Sequence, residues 1–317
     1  MSKVIGNEDA AAPAAVGETP GLVKGPHVPR WASAYLALTK PRIVVLLLIT
    51  TVPAMILARG GLPSMWLIVA TLFGGTLSAG GANAINQYVD RDIDEVMSRT
   101  RRRPLPAHTI QPRRALAFGV TLGLVGFAWL VLLVNLPAAL LSASALLFYV
   151  FVYTLWLKRS TPHNIVIGGA AGAAPALVGW AAVTGRVEWP AVVLFAIVFV
   201  WTPPHFWALS LRYRRDYAAA GVPMLPVVAG DEVTVRQILV YSWVLVGVSL
   251  ILWPVARTGL IYPAAAVAVG GIFLARAMHL RARRTTAAAM SLFRFSIAYL
   301  ALLFGAVALD TLVRLGP

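Results

Sequence analysis

The chain has 317 residues, 59% of them hydrophobic and only 12% charged, with a formal net charge of +15. A soluble domain usually carries about 25% charged residues. The composition therefore excludes an ordinary soluble globule, a disordered chain and a collagen-like fibre. It indicates an all-α integral membrane protein. With no cysteine, disulfides, thiolate metal sites and cysteine nucleophiles are also excluded.

Residues 1–38 hold Ala, Pro and Gly clusters and no apolar core, and read as a disordered cytoplasmic tail. No signal-peptide core precedes Ile43, and Glu8, Asp9 and Glu18 argue against a transit peptide. From residue 39 onward the chain reads as one intramembrane domain. A helix needs about 20 apolar residues to cross a bilayer. Nine runs qualify, the first of them short: 43–57, 62–85, 115–133, 137–157, 165–184, 190–211, 238–255, 260–280 and 292–312. Helices are preferred to barrel strands because the runs are continuously apolar rather than alternating.

Lys and Arg give the orientation. With the amino terminus inside, all but four of the 27 basic residues fall on the cytoplasmic side; the exceptions are Arg59, Arg186, Arg257 and Arg314. The carboxyl terminus then lies outside. The same distribution explains the net charge as basic loops, with no nucleic-acid surface required.

The polar residues of the spans collect at the end of the second, in the string Asn86-Gln-Tyr-Val-Asp90-Arg-Asp-Ile-Asp94. Four helical positions make about 400° and about 6 Å of rise, so Asn86, Asp90 and Asp94 share one stripe. Two carboxylates and an amide oxygen suit a hard divalent cation such as Mg²⁺. The alternative is a charged helix end in the interface. Beyond it comes Arg99-Thr-Arg101-Arg102-Arg103-Pro104, whose guanidinium forks suit phosphate oxygens. A topology anchor on anionic lipid would read the same way.

On the same side, Lys158 and Arg159 follow the fourth span, and Arg212-Tyr-Arg214-Arg215-Asp216 follows the sixth. A solvated basic loop is the plain alternative for the second of these strings. Converging loops of this kind, over apolar walls, suit an amphiphile with a phosphate head and a hydrocarbon tail.

With its nine spans, the stripe Asn86-x-x-x-Asp90-x-x-x-Asp94 resembles the UbiA superfamily of intramembrane prenyltransferases. Three further strings are similar to the branch that farnesylates haem: Thr161-Pro-His163-Asn164, Trp201-Thr-Pro-Pro-His205-Phe206-Trp207 and Ala220-Gly-Val-Pro223-Met-Leu-Pro226. The resemblance covers residue 39 to the end. It implies transfer of the farnesyl group of farnesyl diphosphate to the 2-vinyl group of haem B, giving haem O and diphosphate. Its product would pass to a haem A synthase or a terminal oxidase, while the composition and tail suggest a bacterial inner membrane and the basic loops a site that opens to the cytoplasm.

By the same resemblance Asn86, Asp90 and Asp94 hold Mg²⁺, with Asp216 at the second acidic motif. Arg99, Arg103, Lys158, Arg159, Arg212 and Arg215 face the diphosphate. The second motif usually pairs two aspartates four residues apart, whereas here Arg212 and Ala220 flank Asp216. Two metal sites of equal strength are therefore not expected.

Of five histidines, His27 and His108 read as solvated and His279 as interfacial. His163, at the start of the fifth span, and His205, inside the sixth, are candidate contacts to haem. Interhelical hydrogen bonding is the other fate open to them. Two rivals remain: a sister prenyltransferase acting on a quinone precursor, and a transporter.

Overall fold

The computed structural model describes residues 30–315, which are helical apart from turns and contain no strand. The helices are α1 (Arg30–Thr39), α2 (Pro41–Arg59), α3 (Met65–Val89), α4 (Arg91–Val96) and α5 (Pro112–Leu133). They continue with α6 (Leu136–Ser160), α7 (Asn164–Thr184), α8 (Trp189–Arg212), α9 (Arg214–Ala219) and α10 (Leu225–Val228). The last three are α11 (Gly230–Ala256), α12 (Ile261–Arg283) and α13 (Thr286–Leu315). Eight of them (α3, α5, α6, α7, α8, α11, α12 and α13) are each long and apolar enough to cross a membrane, which makes this a multi-pass membrane protein. Helix α2 adds the shorter apolar segment Ile49–Arg59 at the place of the expected first span.

Local chemistry sets the helix ends. Ser64 accepts from the Leu67 amide at 3.3 Å to open α3, and Asn135 accepts from Ala138 at 2.9 Å to open α6. Pro41, Pro112 and Pro190 occupy first turns, where no amide donor is missed. Gly60 and Gly185 close α2 and α7 at φ of 69° and 70°.

The long helices close a ring in the order α2, α3, α5, α6, α7, α8, α11, α12, α13 and back to α2. Lipid tails are as apolar as leucine, so backbones must approach closely for packing to hold such a bundle. Helices α3 and α5 do so through glycine. A Cβ on Gly81 would lie 2.6 Å from the Gly119 carbonyl oxygen, and one on Gly119 would lie 3.0 Å from that of Gly81.

The structure departs from two expectations and adds detail to one loop. Residues 30–38, assigned to the tail, form most of α1. Its Leu38 is fully buried and Ala34 nearly so, in a cluster with Leu105, Ile110 and Ala115; the remainder of the expected tail lies outside the described residues. Helices α11 and α13 begin at 230 and 286, well before the expected 238 and 292, because helix continues past the apolar core into polar sequence. Asp231 and Glu232 favour the early start of α11 by facing its positive end. The loop after the sixth span holds two short helices, α9 and α10.

Asp310 shows how an acid is accommodated inside the bundle. It is 2% exposed and accepts from the backbone amides of Gly259 (2.5 Å), Ile261 (2.9 Å) and Tyr262 (3.1 Å), capping α12 from α13. Removing it strands buried donors at a helix start. Asp310→Ala is expected to cost about 3 kcal/mol, read as a lowered unfolding midpoint in detergent. A midpoint equal to wild type would show that the cap carries no stability.

Candidate active site

The expected stripe forms, with a break in it. Helix α3 ends at Val89, Asp90 adopts φ −85° and ψ 6°, and α4 starts at Arg91. The i to i+4 hydrogen bonds persist on both sides, from Asp90 N to Asn86 O at 2.9 Å and from Asp94 N to Asp90 O at 2.8 Å. Asn86, Asp90 and Asp94 therefore stay together, and all are buried, at 3%, 0% and 2% exposure.

Burial of two carboxylates requires compensating charge, and the loops deliver it. Arg103 folds back from the basic run to grip Asp94 with one terminal nitrogen, at 2.9 and 2.7 Å to its two oxygens. Lys158 forms an ion pair with Asp90 Oδ2. Arg159 reaches Asp92 at 2.7 Å and lies 3.9 Å from Asp90. The Arg159 guanidinium pulls the Asp92 carboxyl down to about 2.

Lys158 and Arg159 are placed by an unusual stretch of α6. Residues Phe148–Leu157 are π-helical, and Thr154 donates to the Tyr149 carbonyl five residues back, at 2.8 Å. Such bulges recur at functional sites. The same Thr154 hydroxyl accepts from Asn86 Nδ2 at 3.2 Å, tying the bulge to the stripe.

Lys40 is a site residue that spacing did not reveal. It sits between α1 and α2 in the left-handed region, at φ 52° and ψ 64°, and donates to Asn86 Oδ1 at 3.1 Å. Burial, with Arg103 and Lys158 close by, pushes its ammonium down to about 7. A non-glycine residue in this region, directly before a proline, is held there by its surroundings.

The site fits a hard divalent cation. Asn86, Asp90 and Asp94 offer only oxygen donors for such an ion, and Asp90 Oδ1 is buried with no hydrogen-bond partner. Asp216 is set apart. Among the described residues no three acidic or histidine side chains gather around a common point. Asp216, on α9, accepts instead from Ser98 Oγ at 2.5 Å, which links the loop after α4 to the loop after α8. Arg212 and Ala220 stand at the flanking positions, so neither offers a second carboxylate there.

Arg212 and Arg215 are exposed and enter no ion pair among the described residues; the Arg212 guanidinium lies 5.7 Å from the Tyr213 ring centre. Arg99 lies 5.7 Å from the same ring and lines the cavity beneath.

That cavity, of about 560 Å³, runs from Arg99 and Asn83 into the bundle between α2, α3, α6, α7, α8 and α13. Its walls are largely apolar, with Tyr149 and Tyr153 of the π-helical stretch near the polar end and Gly168, Gly172 and Pro175 along α7.

His205 lines the cavity, stacked between Trp201 and Phe293 at centroid distances of 4.2 and 4.6 Å. Its Nδ1 lies 2.6 Å from Ser296 Oγ on α13. His163 is exposed at the start of α7; of the two candidate haem contacts, His205 lines the cavity and His163 does not. His108 and His279 are exposed, as expected, and His27 lies outside the described residues.

The UbiA prenyltransferase family model matches residues 47–303. A protoheme IX farnesyltransferase of Frankia alni is 60% identical over 284 residues, covering 88% of this chain and 98% of that one. Protoheme IX farnesyltransferase 1 of Saccharopolyspora erythraea is 56% identical over 310 residues, covering 96% and 98%. In fold, the chain is similar to a UbiA homolog from Archaeoglobus fulgidus, solved with GPP and Mg²⁺. The TM-score is 0.63 at 17% identity, over 87% of this chain and 99% of that one.

Proposed function

The chain belongs to the UbiA prenyltransferase family, and from that premise we propose that it transfers the farnesyl group of farnesyl diphosphate to the 2-vinyl group of haem B. The relatives named protoheme IX farnesyltransferase support this acceptor. So does the site: the buried carboxylates and cations lie about one helical turn beyond Asn83, which with Arg99 marks the polar end of a largely apolar cavity, an order that suits the head and tail of a prenyl diphosphate.

In the proposed reaction the allylic C–O bond breaks and its electron pair leaves with diphosphate. The vinyl π electrons then form the new C–C bond to farnesyl, leaving a cation on the vinyl carbon next to the porphyrin ring. Water adds there and loses a proton, so haem B, farnesyl diphosphate and water give haem O and diphosphate. Asn86, Asp90 and Asp94 would hold Mg²⁺, which when bound supplies positive charge to the leaving diphosphate. Lys40, Arg99, Arg103 and Lys158 present positive groups to the same oxygens. Asp216 holds the loop carrying Arg99 over the cavity through Ser98. The apolar walls keep water from the allylic cation until the C–C bond has formed.

The sidedness of Lys and Arg supports nine crossings of a bacterial inner membrane, with the site open to the cytoplasm. The product then suits a haem A synthase or a terminal oxidase as its consumer.

The test is an assay of purified protein in detergent with haem B, farnesyl diphosphate and Mg²⁺, analysed by mass. Haem O is expected, and is expected to disappear on chelation with EDTA. Prenylation of an aromatic acid but not of haem would give the site a quinone-precursor acceptor. No prenyl transfer by folded protein would overturn the reading and return the transporter.

A further inference from the structure

On the flank of the bundle, away from the catalytic cavity, α12 and α13 enclose a second pocket of about 420 Å³ lined by Ile272, Ala275, Arg276, His279, Ala288 and Ser291. Arg276 dominates it. Its Nη1 donates to Ser291 Oγ at 2.5 Å, its guanidinium lies 4.9 Å from the Phe295 ring centre, and its Nε is buried with no partner. Among the described residues no carboxylate lies within ion-pair distance of it. A guanidinium within a membrane-crossing helix is costly without a counter-charge, and the described residues supply none.

Depth shows where a counter-charge comes from. Arg276 lies seven residues before the end of α12 at Arg283 and is held by Ser291 and Phe295 of α13. Helix α13 has 30 residues, about 45 Å of helix against a hydrocarbon core of about 30 Å, so its first turns reach into the headgroup layer. Ser291 lies five residues into that helix, about 7.5 Å from its start, which on these lengths falls near the edge of the hydrocarbon core, within reach of headgroups. Arg281 and Arg283 at the end of α12 and Arg294 near the start of α13 are exposed and add positive field at this end of the helix pair. The small side chains of Ala275 and Ala288 leave the notch open, and Ile272 gives it an apolar wall.

We propose that this notch is a binding site for the phosphate of an anionic membrane lipid, with Arg276 and Ser291 on the phosphate oxygens and His279 at the rim. The guanidinium offers a fork for phosphate oxygens, and the apolar wall beside it selects a lipid over a free anion.

The test uses full-length protein, delipidated in an uncharged detergent and titrated with phosphatidylglycerol, phosphatidylcholine or inorganic phosphate. Bound lipid is counted by native mass spectrometry, and the shift in unfolding midpoint is read in parallel. Wild type is expected to hold one phosphatidylglycerol at least tenfold more tightly than phosphatidylcholine. Arg276→Gln is expected to lose that preference. So is Ala275→Leu, which fills the notch from an exposed position and keeps the charge. Arg314→Gln, at the far end of α13, is expected to behave as wild type.

Unchanged preference in both notch variants would overturn the site. Loss in Arg276→Gln alone would reduce it to surface charge and overturn the notch. An equal midpoint shift with inorganic phosphate would assign it to a free anion and overturn the lipid.

Discussion

Asp90→Asn is expected to lower kcat/KM for haem farnesylation by about 10²–10³-fold, the usual consequence of losing one preorganised electrostatic group at a site of developing charge. Asparagine keeps the size of the side chain and removes its charge. Lys158 and Arg159 would then face a neutral amide, and the oxygen set with Asn86 and Asp94 would lose half its carboxylates. The buried, unpartnered Oδ1 of Asp90 makes this the carboxylate with most to lose.

Asp92→Asn is the control. It lies two residues away and binds the same Arg159, but its side chain is 61% exposed and outside the stripe. Surface pairs are worth about 1 kcal/mol or less, so its activity is expected to stay within about threefold of wild type. Both variants are assayed by haem product mass, with circular dichroism to confirm that each is folded. Activity of Asp90→Asn within tenfold of wild type would remove Asp90 from the reaction. Equal losses in both variants would point to Arg159 as the group that matters.

The stripe could be read from sequence because its geometry is local. Positions 86, 90 and 94 share a helix face whatever surrounds them, and even the break at Asp90 leaves the i to i+4 bonds intact. Arg103 and Lys158 could be nominated because dense basic strings beside apolar spans are conspicuous. Lys40 could not, since it reaches Asn86 only through a left-handed turn before Pro41, a conformation that sequence disfavours.

Thr154 was equally hidden. A hydroxyl in an apolar run carries no signal until a π-helical stretch aims it at Asn86. Helix α1 escapes a search for spans because it has only 10 residues, and the value of its buried ones comes from partners far along the chain at Leu105 and Ile110. Basic strings also over-nominate: Arg212 and Arg215 share their loop with Asp216 yet stay exposed. Composition marks the loop as cationic, and only tertiary structure decides which cations turn inward.

His205→Ala is expected to abolish the imidazole signature in the absorption spectrum of bound haem and to slow farnesyl transfer by roughly 10²-fold or more, whereas Ser296→Ala is expected to cost only about tenfold. Loss of a hydrogen-bond partner behind a ligand typically costs 10- to 100-fold, and loss of the ligand costs at least as much. The ordering follows from one proton. Ser296 Oγ donates to the Phe293 carbonyl at 2.6 Å, which uses its only hydrogen. At 2.6 Å from His205 Nδ1 it can therefore only accept, so the histidine carries its proton on Nδ1.

The lone pair is then left on Nε2, which makes no hydrogen bond among the described residues, on a ring that lines the cavity. A neutral imidazole with its lone pair on Nε2 is the form that binds haem iron. Interhelical bonding and haem contact, alternatives from sequence, need not exclude each other here: Nδ1 meets Ser296, and Nε2 is the nitrogen proposed to meet haem. Ser296→Thr restores a hydroxyl and is expected to recover both spectrum and rate. An unchanged spectrum in His205→Ala would exclude this histidine as the ligand. A loss in Ser296→Ala that Ser296→Thr does not recover would show that the serine matters only for packing α13 against α8.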